Sequence, residues 1–174
     1  MGKPHLLIFK KLFSSVLFVS AVAILSACSS TPVPQNNDMN VLLSASSDVN
    51  PDVNGASSPV CIEIYELKDV DDFQNADYYS LMGERLKSLK NNIANMQEVV
   101  LQPGTTQSLN ITPRQGVVAL GFVAAYRDID NADWMDVYKL KKTEKLAWYQ
   151  KEKKPVLKVS VQKLAIAVSD QEAN

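Results

Sequence analysis

A nearly unbroken apolar run, residues 116–126, constrains the fold of this 174-residue chain more than any other segment. Its central part, residues 117–125, contains no charged or hydroxyl side chain. A strand with one face in water alternates apolar and polar residues, whereas a strand covered on both faces is apolar throughout. The run therefore predicts a central strand with one sheet packed on one face and other structure covering the second face.

A second segment, residues 60–67, shows the alternation that is typical of a half-buried strand. Val60, Ile62 and Ile64 share one face, and the intervening residues Cys61 and Glu63 lie on the other. We therefore expect a strand with isoleucine directed inward and glutamate directed outward.

Further strands are expected on both sides of these two. Residues 39–45 are short and apolar, and 99–101 precede the turn pair Pro103-Gly104, with 108–111 as the expected partner strand. In residues 157–168 the apolar phase changes at Gln162-Lys163, which indicates either a tight hairpin or a bulge, and a hairpin is favoured. About eight strands in a two-sheet sandwich follow from this pattern.

Helical signals follow the second strand. Asp69, Asp71 and Asp72 favour a helix start, and a short helix through Ala76 and Tyr79 is expected. A stripe at spacings of three and four predicts a second helix or a pair of turns that ends near residues 91–95; the members of the stripe are Met82, Leu86, Leu89, Ile93 and Met96.

The first 27 residues have the order of a secretory signal, because lysines precede the apolar run 12–25. At about 1.5 Å per helical residue that run covers about 21 Å, short of a bilayer core of about 30 Å. Leu25-Ser26-Ala27-Cys28 then matches a bacterial lipobox, in which the Cys28 thiol carries a diacylglyceryl thioether. An ordinary cleavage site before an incidental cysteine is the alternative.

These features divide the chain into four predicted parts. Residues 1–27 form the signal peptide, and 28–38, with Pro32 and Pro34, form a flexible tether. Residues 39–169 form one sandwich domain, and 170–174 form a tail.

Composition excludes several function classes. The single histidine is His5, inside the predicted signal, so the mature chain lacks a Ser-His-Asp triad, a Cys-His pair and any histidine metal ligand. Loss of the three signal lysines leaves 15 basic against 19 acidic residues, a net charge of −4, which does not favour nucleic acid. With Cys28 acylated, Cys61 is a lone thiol, for which burial is expected rather than reactivity.

Three charged clusters could carry chemistry, but each has a simpler interpretation. Asp128, Asp130 and Asp133 lack the glycine and glutamate of a calcium loop, which favours an acidic turn. The acids before Phe73 suit helix capping better than glycoside hydrolysis. The lysine-rich segment 139–154, with Trp148 and Tyr149, could meet anionic lipid, although a solvated hairpin is favoured.

The segment 46–59 is dense in turn-forming residues and predicts a long loop between the first two strands. Loops of this length inside a compact domain usually have a function. Asn50-Pro51-Asp52 and Gly55 would hold a defined turn at a projecting tip. A partner-binding loop and a passive connector both remain open on these grounds.

The order of these features resembles the TssJ family, the outer-membrane lipoproteins of the bacterial type VI secretion system. The residues that carry the resemblance, behind the lipobox, are Asn50-Pro51-Asp52, Gly55, Pro59-Val60, Ile64-Tyr65-Glu66-Leu67, Phe73, Ala76-Asp77, Val100-Leu101-Gln102-Pro103-Gly104, the stretch from Leu120 to Asp128, Ala132 and Trp134.

The resemblance implies an all-β, transthyretin-like sandwich with a short helical insert after the second strand. It implies an outer-membrane lipoprotein on the periplasmic face, in keeping with Ser29 and Ser30 where an inner-membrane retention signal would place aspartate. It also implies binding to the periplasmic domain of TssM, and through it to TssL. The implied contact residues are Asn50, Pro51, Asp52, Val53, Asn54 and Gly55. No catalytic residue, metal or cofactor is implied beyond the lipid on Cys28.

A function of a different class is a periplasmic carrier that holds a small apolar ligand between the sheets or under the insert. A cavity lined by Phe122, Tyr126 and the helical stripe would favour the carrier. A packed interior with an exposed, ordered loop would favour the adaptor. An enzyme is the third hypothesis.

Overall fold

The computed structural model describes residues 38–82, 89–141 and 155–171, all within one compact unit, residues 36–174. In these ranges the elements are β1 (Met39–Ala45), β2 (Val60–Leu67), α1 (Asp71–Gln74), α2 (Tyr78–Met82), β3 (Ile93–Leu101), β4 (Thr106–Ile111), β5 (Ala119–Ala124), β6 (Met135–Lys139), β7 (Val156–Val161) and β8 (Ile166–Gln171). The predicted signal peptide, Cys28 with nearly all of the tether, and the lysine-rich residues 142–154 lie outside the described ranges. No helix within those ranges is long and apolar enough to cross a membrane.

The eight described strands form a sandwich of two sheets, as predicted. The sheet of β4-β1-β7-β8 and the sheet of β3-β2-β5-β6 each contain four of the described strands. Neighbours pair antiparallel except β1 and β7, which run parallel. Fully buried side chains fill the space between the sheets, among them Val41, Leu43, Ile62, Ile64, Leu120, Phe122, Leu157 and Val159. Burial of each large apolar side chain of this kind stabilises the folded state by about 1.5–3 kcal/mol.

The apolar run forms a central strand that is covered on both faces, which confirms the prediction, although β5 covers fewer residues than the run. Every residue of β5 is buried. Leu120, Phe122 and Ala124 join the cluster between the sheets. Ala119 and Val123 belong instead to a second cluster with Tyr65, Phe73 of α1 and Leu81 of α2. The helical insert therefore covers the outer face of β5.

The insert packs against a glycine in the middle of β5. A Cβ built on Gly121 would lie 2.5 Å from Cε1 and 2.7 Å from Cζ of Phe73. The Phe73 ring also packs against the Tyr65 ring at a centroid distance of 5.1 Å, with the ring planes tilted by 58°. Because Gly121 has no side chain, the ring lies directly on the strand backbone.

The predicted single short helix is two short helices, with a break at residues 75–77. Asp69 Oδ1 accepts a hydrogen bond from the Asp71 backbone N–H at 2.9 Å, so an aspartate supports the helix start as expected. The N-cap of α1 itself is Val70, which makes no side-chain cap hydrogen bond. Asp77 lies directly before α2, and its Oδ1 accepts the Ser80 N–H at 2.9 Å. An N-capping aspartate thus restarts the helix after the break.

The prediction of a continuous helical stripe is wrong for Ile93 and Met96. Both lie in β3, which begins at Ile93 rather than near Val99. The strand pairs with β2 along its length, with Met96 opposite Tyr65 and Val100 opposite Cys61. Pairing with a distant strand overrides the local period of three and four, because strand preference depends on cross-strand packing.

The expected pairing of the strand around 108–111 with the strand before it is also wrong. After Gly104, which has φ 72°, the chain crosses to the other sheet, and β4 pairs with β1. Ile111 lies opposite Met39, and both are buried in the main cluster. The turn pair therefore makes a corner of the sandwich instead of a hairpin.

The two lateral sides of the sandwich differ. On one side β6 and β8 are linked, because Asp136 Oδ2 accepts the Val168 N–H at 2.7 Å and Asp133 bridges to Ala165. The predicted hairpin of β7 and β8 is confirmed and supplies this link. On the other side lie β3 and β4, which are the edge strands of their sheets among the described elements.

We expect Gly121→Ala to lower the free energy of unfolding of residues 36–174 by about 1–3 kcal/mol, because the new methyl group must displace the Phe73 ring. Urea denaturation followed by tryptophan fluorescence measures the change. Combined with Phe73→Leu, the same alanine should cost clearly less than it does alone. A Gly121→Ala protein as stable as the parent would contradict this account of the insert.

Candidate interaction site

The loop between β1 and β2, residues 46–59, lies at the end of the sandwich where β1 and the parallel strand β7 both finish. The turns that connect β3 to β4 and β7 to β8 lie at the same end, as does the connection from β5 to β6. β1 enters at the opposite end, where Met39 lies beside Ile111. Six residue steps of about 3.3 Å separate the ends of β1 by about 20 Å.

Asn50 ties the base of this loop to three other segments. Its backbone N–H donates to the Lys163 carbonyl in the β7–β8 turn at 3.0 Å. Its side-chain Nδ2 donates to the Pro59 carbonyl at 2.7 Å, and Oδ1 accepts the Arg127 N–H at 2.8 Å. The residue is 3% exposed and has φ 49°, a left-handed conformation that asparagine tolerates better than most residues. Asn50 is therefore a buried connector rather than a surface group.

Other contacts hold the remainder of the base in place. Val49 is fully buried in the main cluster. The Ser46 N–H donates to the Val161 carbonyl at 2.9 Å, and the Ser46 carbonyl accepts the Gly104 N–H at 3.0 Å. Ser57 Oγ donates to the Ser47 carbonyl at 2.7 Å, which joins the two arms of the loop. The base is thus part of the folded core and not an independent flap.

The tip is a tight turn built around Asp52. Its Oδ1 accepts the N–H groups of Asn54 at 2.8 Å and Ala56 at 2.9 Å. These two hydrogen bonds lower the pKa of the Asp52 carboxyl, and the bond from Ala56 has the larger effect. The carboxyl is therefore ionised at neutral pH. The Asp52 carbonyl also accepts the N–H of Gly55, which adopts the positive φ of 81° that the turn requires.

The turn presents one apolar side chain to solvent. Val53 is fully exposed, whereas Val49 and Val60 on either side of the loop tip are buried. Exposed Arg127 and Lys163 lie at the base, next to Asn50. The arrangement is a small apolar projection on a rigid polar support, with the Asp52 carboxylate in the turn and the exposed basic residues Arg127 and Lys163 at the base.

The structure separates the six predicted contact residues into two groups. Asn50 is buried and holds the loop, and Pro51 and Asp52 are half-buried. Val53, Asn54 and Gly55 are exposed at the tip. Arg127 and Lys163 were not predicted as neighbours of the loop, because they are distant in sequence and no local pattern connects them.

The other sequence candidates have local structural roles. Asp128 accepts Asn131 Nδ2 at 2.8 Å in a short 3₁₀ turn, and Asp72 accepts Asn92 Nδ2 at 3.1 Å. Within 38–82, 89–141 and 155–171, no three His, Cys, Asp or Glu side chains come together as metal ligands would. Cys61 is half-buried, and burial, followed by the charges of Glu98 and Glu63, raises the pKa of its thiol.

Two residues expected to line a carrier cavity are part of the packed core. Phe122 is fully buried in the main cluster. Tyr126 is buried beside it, and its hydroxyl donates to the Gln162 carbonyl at 3.0 Å. Of the third part of that expected lining, the helical stripe, Met82 lies in α2 and Ile93 and Met96 lie in β3, while Leu86 is outside the described residues.

Comparison with known proteins identifies the fold and the family. The family model described as "Type VI secretion lipoprotein, VasD, EvfM, TssJ" matches residues 37–169. The T6SS lipoprotein TssJ1 from Pseudomonas aeruginosa is similar in structure, with a TM-score of 0.69 and 28% identity over 79% of this chain and 98% of that chain. No curated protein matches the chain at a significant level.

Two further solved structures share the fold. Serratia marcescens Lip, a membrane bound component of the Type VI Secretion System, gives a TM-score of 0.70 at 18% identity, over 79% of this chain and 98% of that chain. A chain of the structure described as the T6SS protein TssM C-terminal domain (869-1107) from EAEC gives 0.60 at 20% identity, over 76% of this chain and 97% of that chain. Because the family model covers both sheets and the loop between β1 and β2, this chain belongs to the type VI secretion lipoprotein family that includes TssJ.

Proposed function

We propose that this lipoprotein is the outer-membrane component of a type VI secretion membrane complex. A lipid on Cys28 anchors it to the periplasmic face, and the tip of the β1–β2 loop binds the periplasmic domain of TssM, which connects it to TssL. The observation that carries the proposal is the fully exposed Val53 on a turn whose base is buried. The proposal contains no catalytic step and no cofactor other than the covalent lipid.

The position of the loop supports the bridging role. β1 begins at the end of the sandwich opposite the loop, so the tip lies away from the end at which the predicted tether joins the domain. Eleven residue steps from Cys28 to Met39 span at most about 40 Å. A domain held at one end by lipid would thus present its loop toward a partner deeper in the periplasm.

The chemistry of the tip suits protein recognition. The loop is bound to the core by Val49 and Asn50, so little conformational entropy is lost when a partner binds. An exposed valine on such a support can fill an apolar pocket, and side chains that become fully desolvated near the centre of an interface contribute most to its energetics. Arg127 and Lys163 at the base would then meet an acidic rim.

We expect Val53→Asp to weaken binding of residues 36–174 to the periplasmic domain of the cognate TssM by about tenfold or more, because a charge replaces the apolar anchor. Val118→Asp is the matched control, since Val118 is also an exposed valine but lies at the other end of the sandwich. Titration calorimetry gives both affinities. Equal binding by parent, Val53→Asp and Val118→Asp proteins would refute the tip as the contact.

A second experiment tests whether Asn50 positions the loop. Asn50→Ala removes two side-chain hydrogen bonds and places at φ 49° a residue that tolerates the left-handed conformation less well than asparagine, so we expect a loss of about 2–4 kcal/mol in unfolding free energy. Asn50→Gly removes the same bonds without the backbone strain and should be about 1 kcal/mol more stable than the alanine variant. Thermal and urea denaturation measure both. An alanine variant as stable as the glycine variant would show that the left-handed backbone is not under constraint.

The lipid anchor is tested in cells with the full chain. Cys28→Ser should abolish fatty-acid labelling and release the protein from membranes, because no acyl chain then holds it. Cys61→Ser, the matched control, should label and fractionate like the parent. A Cys28→Ser protein that still labels and stays with the outer membrane would contradict the anchor.

A further inference from the structure

The edge strand β3 offers a docking surface that the loop site does not use. Among the described residues, β2 is the strand neighbour of β3, and no strand pairs with its other edge. Near the start of β3 the Ala94 carbonyl accepts a hydrogen bond from Arg114 Nη1 at 2.7 Å, which leaves residues 96–100 for docking. Met96, Gln97 and Glu98 at its centre are all exposed. Gln97 lies on the same inward face as buried Leu101, yet Gln97 is exposed, so the sandwich is open to solvent at this position of the edge. The opposite side differs, because contacts between β6 and β8 close it.

The outward face of β3 carries a definite pattern of apolar and acidic side chains. Met96 and Val100 are 41% and 58% exposed, and Glu98 lies between them at alternate positions. Glu98 is directly opposite Glu63 of β2, and like charges at such positions are destabilising. No Lys or Arg of the described ranges forms an ion pair with either carboxylate. The outward face of this strand pair therefore carries two adjacent negative charges, and a positively charged group beside them would reduce their repulsion.

A hydrogen bond from a neighbouring residue of β2 fixes the Glu63 side chain on the outward face, next to Glu98. Glu63 Oε2 accepts a hydrogen bond from the hydroxyl of Tyr65, whose ring lies in the cluster beneath the insert. Burial, and then the charge of Glu98, raises the pKa of the Glu63 carboxyl. A cation beside Glu98 would offset this repulsion, whereas a second copy of the chain would bring further carboxylates to the same edge.

We propose that β3 docks an extended segment of a partner protein that carries a basic side chain with an apolar side chain two residues away on either side. The segment adds to the sheet as a strand beside β3, so that main-chain hydrogen bonds hold it. Its basic group lies next to Glu98, and its apolar groups contact Met96 and Val100, since side chains on one face recur every second residue.

The test uses two synthetic peptides with the domain of residues 36–174. One is acetyl-Thr-Val-Thr-Lys-Thr-Val-Thr-amide, and the other has glutamate in place of the lysine. Amide chemical shifts of the isotope-labelled domain give both the location and the affinity of binding. We expect shifts centred on residues 96–100, with the lysine peptide bound about fivefold more tightly than the glutamate peptide.

Variants of Glu98 make the test specific. Glu98→Lys should reverse the preference between the two peptides, and Glu98→Gln should remove it. Asp130→Lys makes the same change of charge at an exposed residue of the β5–β6 connection and should leave the preference unchanged.

Three results would overturn the proposal. The first is equal binding of both peptides by the parent domain. The second is peptide-induced shifts that lie along β8 or the β1–β2 loop instead of β3. The third is a concentration-dependent dimer whose shifts lie on β3 without peptide, because the edge would then be an interface between two copies of this chain.

Discussion

The burial of β5 on both faces is the constraint on which the rest of the structure depends. Its inner residues, such as Phe122, require a second sheet, and its outer face requires a cover that no strand supplies. The insert of α1 and α2 provides that cover, with Phe73 lying directly on Gly121. Because Tyr65 of β2 packs in the same outer cluster, the insert also stabilises the neighbouring strand.

The loop end of the sandwich combines a rigid base with an exposed tip. Hydrogen bonds to both ends of its side-chain amide allow Asn50 to be buried, because burial of an unpaired amide would lower the stability of the fold. The same bonds join the loop to the β7–β8 turn and to the connection after β5. A tip on such a base is preorganised, so a partner that bound it would lose little free energy in ordering the loop.

One lateral side of the sandwich is closed by contacts between the sheets, and the other has two exposed edge strands. Where β6 meets β8, Asp136 accepts a backbone N–H across the sheets and the side is closed. Where β3 and β4 lie, exposed polar residues protect the edges, and Glu98 discourages nonspecific pairing with other strands. The same carboxylate, placed opposite Glu63, gives that edge a preference for a positively charged segment.

Local pattern was enough to predict much of this molecule. The alternation and apolar composition of β1 and β2 gave their bounds, the run around Gly121 gave the central strand, and the phase change at Gln162-Lys163 gave the last hairpin. The resemblance to the type VI secretion lipoproteins, carried by short motifs in order, agrees with the family match. The start of β3, the crossing of β4 to the other sheet, and the burial of Asn50 could not be predicted. Each depends on partners about 30 to 115 residues away, such as Tyr65 for Met96 and Lys163 for Asn50, and a local period contains no information about such pairing.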